Sequence, residues 1–468
     1  MRREMTAWSR TGMRALAAGW LLVLGACDIT DSLLEAKDPD IINPDDIQNA
    51  EGAVALANGA LEFFRDLSAG DESTWLFGGL LADEWSTSST FVQNDETDQR
   101  RIQENNSSIT GMFRDMGRVR LAANLAIRGL NQFRPNPPRT IADLYFARGF
   151  AEMQMAQDFC NGIPLSELNG DEIVPGEPLT VAEVFDRAIA SFDSAIALAT
   201  ATDSATVTIR RAAMVAKARA LLGINDDTDG PITQAAALVD TIPLSFAYNH
   251  TFAITSGDNV IWAQGASARR YTVGDSLEGN ARDILVANAL PFFSAQDPRL
   301  PVRYTIATNG RDTVKSQDGQ TFSRTTTLYG RSTSIAVVNR LDARLVVAEA
   351  RLRAQNFAGM ISILNTLRAT PPKLGEVQPT AMTPLPEPAT YDEAVNVFFR
   401  EKAFWTFSRG QRLGDLRRLI RQYGRTENTT FPVGEHYKGG DYGDDVNLPV
   451  PQAEENNPNF TGCIDRNA

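Results

Sequence analysis

Four aromatic residues stand in polar stretches where an exposed ring could recognise a ligand: Trp75, Trp85, Trp262 and Tyr271. The flat apolar faces of sugars stack on Trp and Tyr, and neighbouring Asn, Asp and Arg side chains can hydrogen-bond hydroxyls. Trp is highly buried on average, so the competing reading makes each ring local core beneath a long loop. Groups able to make or break bonds are scarcer. His250 and His436 are far apart and neither belongs to a His-Glu-x-x-His arrangement, which argues against a zinc hydrolase. There is no Gly-x-Ser-x-Gly elbow, no Walker loop and no Gly-x-Gly-x-x-Gly after a strand. Asp441, Asp444 and Asp445 lack the spacing and closing Glu of an EF-hand and read as an acidic surface turn. A glycosidase needs two carboxylates facing each other across a sugar. Asp83-Glu84, beside Trp85, is the pair to inspect, although adjacent residues normally diverge. No catalytic constellation, metal site or cofactor is expected.

Cys27 carries a different chemistry. Arg2, Arg3, Arg10 and Arg14 precede or enter a short apolar run, about Ala15 to Leu24, which ends in Leu24-Gly25-Ala26-Cys27. A basic start, a short apolar core and two small residues before Cys make a lipoprotein export signal. The run is too short to span a bilayer. Residues 1–26 are therefore expected to be removed, leaving a chain that is lipidated on Cys27 and anchored to a membrane through acyl groups alone. Asp28 resembles an inner-membrane retention signal of some bacteria. The whole sequence carries a formal charge of −13, and the export segment is basic, so the remainder is more acidic still. That balance argues against nucleic acid, whose phosphates demand a basic footprint. Two cysteines remain, Cys160 and Cys463. In an oxidising compartment they are expected to pair, stapling the C-terminal tail to the region after a helix ending near Phe159; two free thiols is the rival reading.

The elements that must position these groups read as mainly helical. Residues 27–44 look like an extended leader holding Pro39 and Pro44, and residues 45–468 like one domain. Asn43-Pro44-Asp45 can open a helix in which Ile47, Ala50, Val54, Ala57 and Leu61 recur at helical spacing. Further helices are expected over about Met112–Phe133, Ile141–Phe159, from the capping box Thr180-x-x-Glu183 onward, Ala212–Leu222, Ile232–Val239, Leu341–Arg353 and Phe357–Leu367. Thr390-x-x-Glu393 caps one long helix expected to reach about Tyr423. Pairs of such helices, with small residues at turn spacing, have the character of tetratricopeptide repeats. Residues 68–110, 245–335 and 370–390 are expected to be loop-rich insertions, the last because it carries six prolines. The densest motif is Gly410-Gln411-Arg412-Leu413-Gly414-Asp415-Leu416-Arg417-Arg418. Arg412, Asp415 and Arg418 lie one helical turn apart in succession and can pair, while Gly410 would admit a close neighbouring backbone. This reads as architecture.

Several of these pieces, taken in order, resemble the SusD/RagB family of outer-membrane nutrient-uptake lipoproteins. They are the export signal at Cys27; Ala147-Arg148-Gly149-Phe150 through Asp158-Phe159-Cys160-Asn161-Gly162-Ile163-Pro164-Leu165; Asp297-Pro298-Arg299-Leu300; Ala348-Glu349-Ala350 with Leu364-Asn365-Thr366-Leu367-Arg368; and Gly410–Arg418. Leu448-Pro449-Val450-Pro451, followed by Glu454 to Pro458, resembles the family's ending. Glu401 fits the family pattern, whereas Arg409 and Trp405 stand where Glu is usual. The resemblance implies a tetratricopeptide-like helical scaffold with a less regular ligand-binding part. It also implies a lipid-anchored, surface-exposed place on the outer membrane, over a SusC-like TonB-dependent transporter, and delivery of an oligosaccharide or other small nutrient without catalysis. Two other readings of the residues stand beside it: a periplasmic tetratricopeptide-like scaffold for protein partners, and a lipid-anchored glycosidase.

Overall fold

The computed structural model describes residues 49–68, 72–134, 137–169, 172–224, 229–278 and 284–468. The export signal, Cys27, Asp28, the leader and the helix start at Asn43-Pro44-Asp45 lie outside the described residues. Asn49–Ala468 forms one compact unit. Its described residues hold twelve α-helices: α1 (Ala50–Asp66), α2 (Thr74–Ala82), α3 (Val92–Asp98), α4 (Ser107–Phe133), α5 (Pro138–Asp158), α6 (Val181–Leu198), α7 (Ser204–Gly223), α8 (Gly230–Val239), α9 (Arg340–Arg353), α10 (Phe357–Ala369), α11 (Tyr391–Trp405) and α12 (Arg412–Tyr423). The strands form two-stranded antiparallel pairs only. The fold is thus mainly α. No described helix is long and apolar enough to cross a membrane.

The helix starts follow local capping chemistry. Asn49, Asn106 and Asp203 cap α1, α4 and α7 by accepting from backbone N–H groups two or three residues on. Thr180 and Glu183 form the reciprocal capping box of α6. Each helix from α4 to α9 packs on the next along the chain. The packing of α5 on α6 depends on Gly149: a Cβ there would meet Phe192 Cε1 at 2.8 Å and Ser191 Cβ at 2.9 Å. The apolar stripes so joined, including Phe64, Phe146, Phe150, Phe185 and Phe192, form the main core. A second cluster lies between α9, α10 and α11.

Two expectations need correction. Residues 68–110 are not a loop: they hold α2, α3 and the strand Trp85–Thr87, and nearly all of 74–89 is buried. The reason is visible in α2 itself, whose nine residues TWLFGGLLA carry no charge and are buried on every side. Nor does one helix run from Thr390 to Tyr423. It breaks at Thr406–Gln411, where Ser408 and Gly410 take left-handed conformations (φ 55° and 62°). A Cβ on Gly410 would also lie 2.5 Å from Trp75 Cδ1, so both the turn and the approach of α2 require glycine. The segments 245–335 and 370–390 are irregular, with short strands and a π-helical turn, Trp262–Ser267, in the first.

Candidate functional site: ion-pair seam and aromatic cavity

The motifs that carry the sequence resemblance meet one another in space. Arg299, from Asp297-Pro298-Arg299-Leu300, donates to Glu401 Oε2 and Oε1 at 2.8 and 3.1 Å and to Asp297 Oδ2 at 2.7 Å. Arg368, ending α10, reaches Glu401 Oε1 at 2.7 Å. Glu349 of α9 receives Arg418 of α12 and the Tyr423 hydroxyl, the latter at 2.6 Å. Lys402 pairs with Asp415 at 2.6 Å. The residue at 409 joins this seam too: its guanidinium donates to Asp342 Oδ2 at 2.7 Å and to the Ala336 carbonyl.

One detail of the expected pairing is corrected. Arg412 does not bond Asp415; it makes a two-pronged contact with Asp83 at 2.7 and 2.8 Å. Asp415 and Arg418 do approach, at 3.4 Å. With Asp83 the guanidinium gains a two-pronged, planar match to a carboxylate, while Asp415 is taken by Lys402 and Arg418. Burial pushes the Glu349 carboxyl up, but Arg418 and Lys402 outweigh it and hold it below the usual carboxylate range. Groups this buried would be costly if unpaired, so the seam locks α9, α11 and α12 together.

Three of the four aromatic ligand candidates belong to the same packing. Trp75, Trp85 and Tyr271 are 0%, 2% and 1% exposed. Trp75 packs under Gly410 and beside Phe150. Trp85 stacks against Phe407 and Tyr271 and donates its Nε1–H to Ser408 Oγ at 3.0 Å. The Tyr271 hydroxyl donates to Glu72. No ring face of the three is offered to a ligand, because Trp75 and Trp85 pack on the turn at 406–411 and Tyr271 packs on Trp85.

The Asp83-Glu84 pair is likewise structural. Asp83 is engaged by Arg412, and Glu84 Oε1 accepts from the Ser408 N–H at 2.9 Å. Glu84 is 1% exposed, and burial pushes its carboxyl up to about 8. His250 contacts the buried Ser68 Oγ through Nδ1 at 2.6 Å, but burial and Arg65 push the imidazole down to about 3 and the pair is closed to substrate. His436 is fully buried beside Asp98. Among the described residues no group of His, Cys, Asp and Glu could hold a metal ion; Asp441 and Asp444 are exposed, and Asp445 pairs with Arg466.

Cys160 and Cys463 are joined as a disulfide, and the Cys160 N–H donates to the Leu448 carbonyl at 2.9 Å. The tail is thereby bound to the end of α5.

Trp262 alone among the four keeps a partly exposed ring, with the Arg331 guanidinium above it at 5.6 Å and Asp258 holding that guanidinium at 2.7 Å. Asn259 ties this turn to the next segment, its N–H bonding the Arg331 carbonyl and its Nδ2 the Thr333 carbonyl, each at 2.9 Å. Thr333 in turn lines a cavity of about 390 Å³. Phe404, Trp405 and Phe407 supply aromatic walls; Asn249, Ser334, Lys373 and Arg409 supply polar ones. Asn249, Ser334 and Lys373 are exposed, whereas Trp405 and Arg409 are buried, so the cavity has a wet rim and a dry interior. The Trp405 Nε1–H is buried without a protein acceptor. No sequence motif marks this cavity, since its walls come from four segments far apart in the chain and from residues that singly look like core.

Compared with protein families and with curated proteins, the sequence matches none. Solved structures do match. A SusD superfamily protein from Bacteroides vulgatus superposes with a TM-score of 0.61 at 14% identity, over 89% of this chain and 99% of the other. A putative sugar binding protein from the same organism gives 0.57 at 14% identity, over 89% and 99%. Its SusD-like carbohydrate binding protein gives 0.52 at 12% identity, over 79% and 83%. The protein therefore has the SusD-like fold, across nearly all of its described length.

Proposed function

We propose that the protein is a SusD/RagB-type receptor that binds an oligosaccharide or similar nutrient and carries out no reaction on it. The observation that carries this reading is the 390 Å³ cavity with aromatic walls and a polar rim, within a fold shared with proteins described as sugar or carbohydrate binding. A sugar offers apolar faces to Phe404, Trp405 and Phe407 and hydroxyls to Asn249, Ser334 and Lys373. Trp262, tied to the rim through Asn259 and Thr333, extends the aromatic surface. The lipid on Cys27, an outer-membrane, surface-exposed position and delivery to a SusC-like TonB-dependent transporter are parts of the same proposal, supported by the export signal and by the fold. Affinity is expected to be modest, because an open site buries little ligand area.

Glycan-panel binding tests the reading. Ser334→Trp, at the exposed rim, should abolish binding of any glycan found while leaving the unfolding midpoint unchanged; retained binding would remove the cavity from the proposal. Radiolabelled palmitate should enter the wild-type chain and not Cys27→Ala, and surface labelling of intact cells should reach the protein, which a periplasmic scaffold would escape.

A further inference from the structure

A second, smaller cavity borders the seam, between the C-terminal end of α7 and helix α12. It measures about 20 Å³ and is lined by Gln157, Phe185, Leu222, Gly223, Gln411 and Gly414 together with an unusual set of charges. Arg219, Lys402, Arg418 and Arg421 are cationic; the acid among the lining residues is Asp415. Asp415 is already bonded to Lys402 and approached by Arg418, and Arg418 is further engaged by Glu349. The other two guanidiniums have no such partner. Arg219 is 7% exposed, its Nη2 reaches only the neutral Gln157 Oε1 at 3.3 Å, and its Nη1 is buried with no acceptor. Arg421 donates through Nη2 to the Gly223 carbonyl at 3.2 Å, and its Nε is also buried without an acceptor. Neither makes an ion pair among the described residues.

A guanidinium held out of water without a directly bonded carboxylate is costly. Arg219 is buried and Arg421 is half-buried, and the two facing one cavity define a place where negative charge is stabilised. Burial depresses both groups: Arg219 to about 10, against the attraction of the more distant Asp342, Asp415 and Asp158 and with Arg409 repelling, and Arg421 to about 9, with Arg417 and Arg418 adding repulsion. Both still carry their protons near neutrality, so the positive field persists.

We propose that this cavity is a binding site for one small inorganic anion of chloride size, held by the N–H groups of Arg219 and Arg421. The volume sets the class: roughly 10–15 Å³ on this measure holds one water-sized sphere, so a single spherical ion fits and a sugar or phosphate ester does not. The bound anion neutralises the excess charge where α7 meets α12 and so braces the helix that carries the late motif. The site is separate from the aromatic cavity, and none of its lining residues is shared with it.

The test is thermal unfolding of the full chain in sodium chloride against sodium gluconate at equal ionic strength, gluconate being too large to enter. The wild-type midpoint should rise in chloride and not in gluconate, by roughly 2 °C per tenfold chloride above half-saturation. Arg219→Met should fold, lose the chloride response, and be no less stable than wild type in gluconate. Crystals soaked in sodium bromide should give an anomalous peak within reach of Arg219 and Arg421. Equal midpoints in the two salts, a chloride response that survives Arg219→Met, or no bromide peak would each overturn the proposal. None of these outcomes depends on glycan binding.

Discussion

The ion-pair seam and the aromatic cavity share the turn Thr406–Gln411 and yet obey opposite rules. In the seam, charge is buried and met by opposite charge: Asp83 by Arg412, Glu349 by Arg418, Asp342 by Arg409, Glu401 by Arg299. In the cavity wall a few residues away, Trp405 keeps an unpartnered N–H and Lys373 stands exposed at the rim. Satisfied polar groups hold shape, whereas groups left unsatisfied are available to a ligand. The densest motif of the chain therefore serves architecture, and in the proposed function recognition falls to residues outside any motif.

The sharpest break of that contrast is at Glu349. Glu349→Leu leaves Arg418 buried without its main partner and should cost about 3–5 kcal/mol in urea unfolding, and replacing Arg418 by Met in the same chain should restore most of it. Trp85→Ala should be comparably damaging, about 3–5 kcal/mol, by opening a cavity under the turn. A variant at that position which unfolds normally but loses glycan would contradict the buried role. Glu84 offers a titration. Its folded-state value of about 8 lies above the ordinary carboxyl value of 4.5. The folded chain thus keeps a proton that the unfolded chain releases, and stability falls as pH rises from about 4.5 to about 8, by about 1.4 kcal/mol per unit, then levels. Glu84→Gln should remove that share of the slope, leaving the part from the raised Asp158 and Asp143 carboxyls, and should be the more stable form at pH 8, with the gap closing toward pH 4.5. The smallest effect on stability is expected at Trp262→Ala, within about 0.5 kcal/mol as for a surface change. Its effect should appear in glycan affinity, which calorimetric titration would show as at least a severalfold loss if the ring is part of the binding surface.

Much of the fold was legible from periodicity and caps. Thr180-x-x-Glu183 opens its helix where the capping chemistry places it, and the α9–α10 hairpin falls within two residues of the apolar pattern. Where the structure departs from the expected pattern, burial or close packing is the reason. The polar flanks of residues 68–110 masked the uncharged run Thr74–Ala82, which by itself marks a buried helix. Helical spacing ran unbroken through Thr406–Gln411, and only the close approach of Trp75 to Gly410 shows why the chain must turn there. Of the aromatic candidates, Trp262 alone retains the exposure that stacking needs, because aromatic character in a polar stretch carries no information about which neighbours cover the ring.

By itself the sequence determined the mainly helical build, the helix starts, the acidic balance and the motifs that make the seam. These depend on nearest neighbours along the chain or on composition. Tertiary structure alone decided which carboxylate each arginine takes, which tryptophans are core, and where a cavity opens. Those outcomes depend on groups tens to hundreds of residues apart, as Arg412 and Asp83 are, and the desolvation and geometry that choose among them exist only once the helices have packed.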